Sequence, residues 1–221
     1  MPATRKSKRA DILRCFTELV AARGYDEVSI RDVAEALEIS KGTVLHHFRS
    51  KEAILEQINN DYMRRRLAEA RDYLPGLDDP IDELQAFICQ LWLAQQDDRA
   101  ATVAFSREIL RAADEPAMAE VRQLREEFSA LLVDILERGV KSGAFATANP
   151  RLTAVQIFGM VNWAWTWFDL DGPMTAVEIA AQFSRTMIGG LAPGKTREGA
   201  DAERLAETVG AAMRAHRGEE A

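Results

Sequence analysis

The stretch that decides the fold is SIRDVAEALEISKGTVLHHFRSK, residues Ser29 to Lys51. Ile30, Val33, Ala34 and Leu37 recur at helical spacing behind Ser29, a residue type that opens helices by accepting a backbone N–H. Glu38-Ile39-Ser40 breaks the period, and Ser40 caps a second, very short helix from about Lys41 to His47. Ser50 opens the next helix. Upstream, Ile12, Leu13, Phe16, Leu19 and Val20 form one face of a supporting helix that Gly24 ends. Two helices joined by a three-residue turn, with a third behind them, read as a helix-turn-helix. A short helix, polar on one face, is what a major groove about 12 Å wide accepts.

Outward from this head every apolar period is helical and none alternates by two. A long amphipathic helix covers 50–73 (Ile54, Leu55, Ile58, Tyr62, Leu67) and stops before Pro75-Gly76. Further helices are predicted at about 81–96, 99–113, 116–141 (opened by Pro116), 151–169 and 175–191. The chain is therefore expected to be all-α with about nine helices. Residues 1–48 form the head, with the helix-turn-helix at about 29–48, residues 49–192 a larger helical body, and 193–221 a charged tail. Leu205, Val209 and Met213, four apart, allow a marginal surface helix in that tail.

The charge divides in the same way. The 221 residues carry 28 Lys+Arg against 35 Asp+Glu, a net −7, yet residues 1–51 hold ten basic and seven acidic side chains. A +3 head on a −10 remainder suits a head that meets a polyanion. Two cysteines, Cys15 and Cys89, make neither a disulfide framework nor a four-ligand zinc site. The N-terminus lacks a signal peptide's apolar run, so a reducing, cytoplasmic setting is expected. The sequence shows no nucleophile–base–orienter set and no Glu-x-x-His motif, so neither an enzyme nor a cofactor is expected. His46 and His47 are adjacent and point about 100° apart on a helix, which argues against a shared metal. From Leu152 to Phe168 no residue is charged, but Gln156, Asn162 and Thr166 interrupt the run. It is read as buried by protein on two sides and not as a membrane span.

The head resembles the DNA-binding signature of the TetR (tetracycline repressor) transcription regulators. Ala21-Ala22-Arg23-Gly24-Tyr25 matches that family's Ala-x-x-Gly-aromatic helix end, Ser29 to Ala34 its Ser/Thr-x-Arg run, and Gly42 to Lys51 its Gly-to-Lys segment. Leu45 departs from it, standing where the family usually places a tyrosine. The resemblance implies a homodimeric, ligand-responsive repressor on a palindromic operator, paired through helices at about 151–169 and 175–191. Lys41, Thr43 and His46 are the candidates for base edges. Ser29, Ser40, Gly42, His47 and Lys51 are the candidates for the phosphate backbone. Arg5 and Lys6 form either an arm on the DNA or a solvated tail.

The segment from Trp163 to Leu191 is similar to regulators of fatty-acid and sterol breakdown, which answer to acyl-CoA thioesters. That similarity implies a small apolar ligand, with Trp92, Phe105, Arg107, Phe128 and Trp163 as lining candidates. Lipophilic cations, as in multidrug-type repressors, are the competing ligand class. A helical protein-interaction adaptor is the competing function.

Overall fold

The computed structural model describes residues 5–108, 118–192 and 200–218, and the side chains of residues 8–108, 118–192 and 203–218. Among them are ten α-helices, two short 3-10 turns and no strand. The helices fall into two compact units. One holds residues up to Arg64 together with Arg99–Leu124, and the other holds Arg65–Asp98 with Arg125 onward.

In the first unit, α1 (Arg5–Arg23) buries Ile12, Phe16 and Val20 and packs against α2 (Ile30–Ala36) and α6 (Arg99–Glu108). Gly24 stops α1 at φ +88°, its N–H on the Val20 carbonyl at 2.8 Å, a backbone setting that favours glycine. Ser29 and Asp32 form a reciprocal capping box at the start of α2. The end of α2 is a Schellman turn: Ile39 N–H donates to the Ala34 carbonyl at 2.9 Å and Glu38 N–H to Glu35 at 3.2 Å. Glu38 holds its left-handed position at φ +53°. The helix α3 (Lys41–His47) follows, capped by Ser40, and then α4 (Lys51–Tyr73), whose Ala53 N–H donates to Ser50 Oγ at 3.2 Å.

The second unit is built on α5 (Pro80–Asp97), which is buried nearly all round, from Ile81 and Leu84 through Phe87, Ile88 and Trp92 to Leu93. Around it stand the second part of α7 (Ala119–Lys141), α8 (Pro150–Asn162), α9 (Ala176–Leu191) and α10 (Ala200–Arg217). At α7's end an added Cβ on Gly139 would lie 2.0 Å from Phe145, so only glycine lets that ring close down. The chain then turns at Gly143, φ +72°, in a second Schellman pattern.

The structure corrects two expectations. The helix expected over 151–169 ends at Asn162, and Ala164–Thr166 winds as a 3-10 turn. Thr166 seals the turn by donating both its amide and its hydroxyl to the Trp163 carbonyl, at 3.2 and 2.8 Å. The change of pitch delivers Trp167 and Phe168 onto Trp92, with ring centroids 5.4 and 5.8 Å away. The marginal surface helix of the tail is instead a docked one, α10, with Leu205, Val209 and Met213 fully buried and α5 as its main partner. The tail also runs charge to charge, Arg204 to Asp82 at 3.4 Å and Arg217 to Asp97 at 3.5 Å. The stretch 109–113 and the start at Pro116 lie outside the described residues.

Candidate functional sites

The short helix α3 is anchored on one side and open on the other. Val44 and Phe48 are buried, while Lys41, Gly42, Leu45 and His46 are exposed. Ser40 Oγ accepts the Thr43 amide at 3.0 Å and shares a 2.9 Å hydrogen bond with the Thr43 hydroxyl, which leaves Thr43 half-buried at the helix start. A Cβ added at Gly42 would meet nothing nearer than Ser40 Oγ at 3.6 Å. The chain itself therefore places no demand for glycine there.

The other end of α3 is held by a residue that sequence reasoning missed. Arg9 lies over the Phe48 ring at 4.2 Å and donates to the His47 carbonyl and to Gln57 Oε1, both at 3.1 Å. It closes the C-terminal carbonyl end of α3 with a cation, the sign the helix dipole favours. No sequence signal pointed to it, because one partner is a backbone atom and the other lies 48 residues away.

Two expected phosphate ligands have work inside the chain. Lys51 Nζ sits 3.9 Å over the Tyr25 ring. Ser29 turns both its hydroxyl and its amide onto the Asp32 carboxylate. Those two hydrogen bonds hold the Asp32 carboxyl below its ordinary range. The rings of His46 and His47 meet edge to face, and no group of three metal-ligating side chains gathers among the described residues. The side chains of Arg5 and Lys6 lie outside the described residues.

Of the lining candidates, Phe105 and Arg107 fall in the first unit, at the root of the head. Phe105 stacks on Tyr62 at 4.7 Å. Arg107 donates to the Ala21 carbonyl at 3.0 Å, and Glu108 beside it accepts the Tyr25 amide at 3.0 Å. Trp92 and Phe128 fall in the second unit, in separate aromatic groups. Phe128 lies 4.8 Å from Phe87 and 6.0 Å from Phe158. Trp92 meets Trp167, Phe168 and Phe183, which also line a cavity of about 330 Å³ together with Met174, Ile179 and Gln182. The buried indole N–H of Trp92 and the buried side-chain oxygen of Gln95 one turn on have no hydrogen-bond partner among the described residues. Trp163 is on the surface, 64% exposed.

That exposure belongs to a pattern. Leu152, Val155 and Met160 on α8 and Trp163 at its C-cap are three to five residues apart, and all four face outward. Val161 and Trp165, in the same run, turn inward: Val161 is buried and Trp165 half-buried. For Val161 the physical reason is the helical period, which sets it on the opposite side from Leu152 and Gly159.

Comparison with known proteins agrees with this geometry. Residues 12–58 match the tetR family of bacterial regulatory proteins, and residues 77–191 match the tetracyclin repressor-like C-terminal domain. The HTH-type transcriptional repressor KstR2 of Mycobacterium tuberculosis is 25% identical over 197 residues, covering 87% of this chain and 95% of its own. The structure of KstR2, described as a ketosteroid transcriptional regulator, superposes with a TM-score of 0.79 at 24% identity, over 86% of this chain and 97% of that one. The HTH-type transcriptional regulator UidR of Escherichia coli is 29% identical, with 83% and 92% covered. The structure of AibR, in complex with isovaleryl coenzyme A and operator DNA, has the same fold with a TM-score of 0.71 at 23% identity, over 84% and 98%. With a capped helix-turn-helix near its N-terminus and family matches over both that stretch and residues 77–191, the chain belongs to the tetR family of ligand-responsive, DNA-binding transcription regulators.

Proposed function

We propose that the chain is a homodimeric repressor that holds a palindromic operator through α3 and releases it when a small apolar ligand with an acidic end, of the acyl-CoA class, occupies the second unit. The observation that carries the DNA half is the build of α3, with Val44 and Phe48 buried behind it and Lys41, Gly42 and His46 open in front. Lys41, Thr43 and His46 address base edges. Ser29, Ser40, Gly42, His47 and Lys51 address the backbone, with Arg5 and Lys6 as its arm. Such a regulator works where the chromosome is, in the cytoplasm.

A second copy is the occupant proposed for the outward face of α8. Four large apolar side chains together on one helix face are more than a lone subunit leaves in water. A two-fold pair repeats the face and sets two heads one DNA turn apart, about 34–36 Å. Release needs only a ligand that prefers the conformation in which that spacing is lost.

Charge placement favours an acidic ligand over a lipophilic cation. A cation needs a spare carboxylate among aromatics. Asp97 and Asp98 are spent on Arg217 and on Arg65 with Arg66, Glu108 on the Tyr25 amide and Glu127 on Arg71, while Glu126 is exposed. The shared fold of AibR, solved with a coenzyme A thioester, supports the same choice.

The test is fluorescence anisotropy with DNA from the chain's own upstream region at two salt concentrations, followed by titration with acyl-CoAs and a dye-like cation. Salt-dependent binding reversed by an acyl-CoA is expected. DNA affinity absent at both salts would return the adaptor reading. Release by the cation alone would exchange the ligand class.

A further inference from the structure

A helix of seven residues has little of its own to fix its direction, and α3 (Lys41–His47) is one. It makes about two turns and is too short to stand on propensity alone, so its bearing comes from what holds it. At its start Ser40 accepts the Thr43 amide at 3.0 Å. Along its inner side Val44 and Phe48 are buried. At its end stands Arg9, on α1 and 38 residues earlier in the chain. The Arg9 guanidinium lies 4.2 Å over the Phe48 ring, Nη1 donates to the His47 carbonyl at 3.1 Å, and Nη2 donates to Gln57 Oε1 on α4 at 3.1 Å. A flat cation with donors on a rigid fork holds a ring, a carbonyl and an amide at once, which the compact ammonium of a lysine does not.

The partner on α4 is itself oriented. Gln57 donates its amide nitrogen to Asp61 at 2.8 Å, which turns its oxygen to Arg9. Arg9 only donates and the Asp61 carboxylate only accepts, so the amide has one setting. Asp61 in turn lies 3.6 Å from Arg64, which pairs with Glu120 in the first turn of α7. The far end of α3 is thus bracketed to α1 and α4, and the α4 arm of the bracket continues along that helix. Water satisfies a carbonyl at a helix end as well as a side chain does. What water does not do is fix where that carbonyl lies, and a binding constellation has to be held within about 0.5 Å and 10–20° of its working geometry.

We infer that Arg9 is a positioning residue for operator recognition: it sets the angle of α3, and with it the reach of Lys41, Thr43 and His46, without itself touching DNA. This rests on the reading of α3 given above as the helix that meets the operator.

The experiment compares the full chain with Arg9→Met, Arg9→Lys and Gln57→Met. Fluorescence anisotropy is read on the upstream duplex and on a scrambled duplex of the same length, over a salt series and well below each variant's Tm. Arg9→Met keeps an apolar stem on Phe48 and loses both hydrogen bonds. Its affinity for the upstream duplex should fall about 10- to 100-fold, within the range of one misread base pair. Affinity for the scrambled duplex should stay within about threefold, with the salt slope unchanged. Arg9→Lys returns the charge without the two-way bracket and should remain at least about fivefold below the unaltered chain. Gln57→Met cuts one arm and leaves the cation, so it should lose about 3- to 10-fold, the worth of one hydrogen bond. Equal loss on both duplexes overturns the inference: with a salt slope lower by roughly one per subunit Arg9 is a phosphate ligand, and with an unchanged slope it serves the fold of the whole head. Unchanged affinity for the upstream duplex, whatever the Tm, overturns it too, as does full recovery by Arg9→Lys. Each of these leaves the DNA-binding reading standing. An unaltered chain with no preference for the upstream duplex ends that reading, and this inference with it.

Discussion

In the first unit, one set of polar side chains works at helix ends. Ser29, Ser40 and Ser50 open helices, and Arg9 and Arg107 close them on carbonyls. In the second unit, beside its caps, a charged group lies along helix lengths and out of water. Arg66 and Glu69, one turn apart on α4, are 1% and 0% exposed and pair at 2.8 Å. Gln90 on α5 donates to Glu69 at 3.0 Å and accepts from the Tyr73 hydroxyl at 3.0 Å, and Asp98 reaches Arg66 at 3.3 Å. A cap satisfies one or two backbone groups and fails by itself, with water as a substitute. A buried charged network has no substitute, so losing one member strands the others. The head therefore tolerates single changes that the second unit does not.

The largest expected effect is at Arg66. Arg66→Met leaves Glu69 buried with only Gln90, and should cost about 3–5 kcal/mol. Urea unfolding measures it. The double change Arg66→Met with Glu69→Leu should recover most of the loss, because it removes the stranded charge. If the single change costs under about 1 kcal/mol, the contrast between the units is wrong.

Next comes the outward face of α8. Val155→Arg adds a charge to a face that a two-fold pair would place against itself. Like charges brought together cost several kcal/mol, so self-association should fall by at least about 100-fold in analytical ultracentrifugation, and operator affinity with it. Val155 is 64% exposed, so the subunit itself should keep its Tm. A monomeric unaltered chain at micromolar concentration would remove the basis of this prediction.

These two predictions also mark what the sequence made legible. The head could be read residue by residue, because capping and the Ser29, Ser40 and Gly24 signals act within four positions. The register of α5 and α9 followed from apolar period in the same way. The 3-10 turn at Ala164–Thr166 was hidden, since its local composition is apolar like a helix and its cause is the packing on Trp92. The docking of α10 was hidden by its many charges, which find Asp82 and Asp97 more than a hundred residues back. Arg107 is among the lining candidates, but its partner is a carbonyl, and carbonyls leave no mark in a sequence.

A smaller effect tests the cap. Ser29→Ala removes the hydroxyl that accepts the Asp32 amide and should cost about 1 kcal/mol at neutral pH. The same change frees Asp32, whose pKa is held down mainly by the Ser29 hydroxyl. A depressed carboxyl contributes stability above its unfolded pKa, and that contribution is lost as pH falls through the folded value. The gap between variant and unaltered chain should therefore narrow in acid. A gap that stays constant from pH 7 to pH 3 would assign the cost to something other than this box.

The smallest effect compares two helix ends that share one geometry. Helices α2 and α7 both finish in the Schellman pattern, with Gly143 at the left-handed position of one and Glu38 at that of the other. A side chain there crowds the following carbonyl, which glycine avoids. Glycine also adds freedom to the unfolded chain, which offsets part of the gain. Glu38→Gly should therefore stabilise by about 0.5–1 kcal/mol, and Gly143→Ala should cost about as much, both read as shifts in urea midpoint. Glu38→Ala separates backbone from charge, since it removes the carboxylate and keeps the crowding. It should give little or none of the gain. If alanine stabilises as much as glycine, the strain at φ +53° is not the cause and the carboxylate is. DNA affinity reads the other half of the exchange: both changes remove a negative charge two residues before the cap of α3 and should tighten operator binding alike at low salt, an increment that shrinks as salt rises.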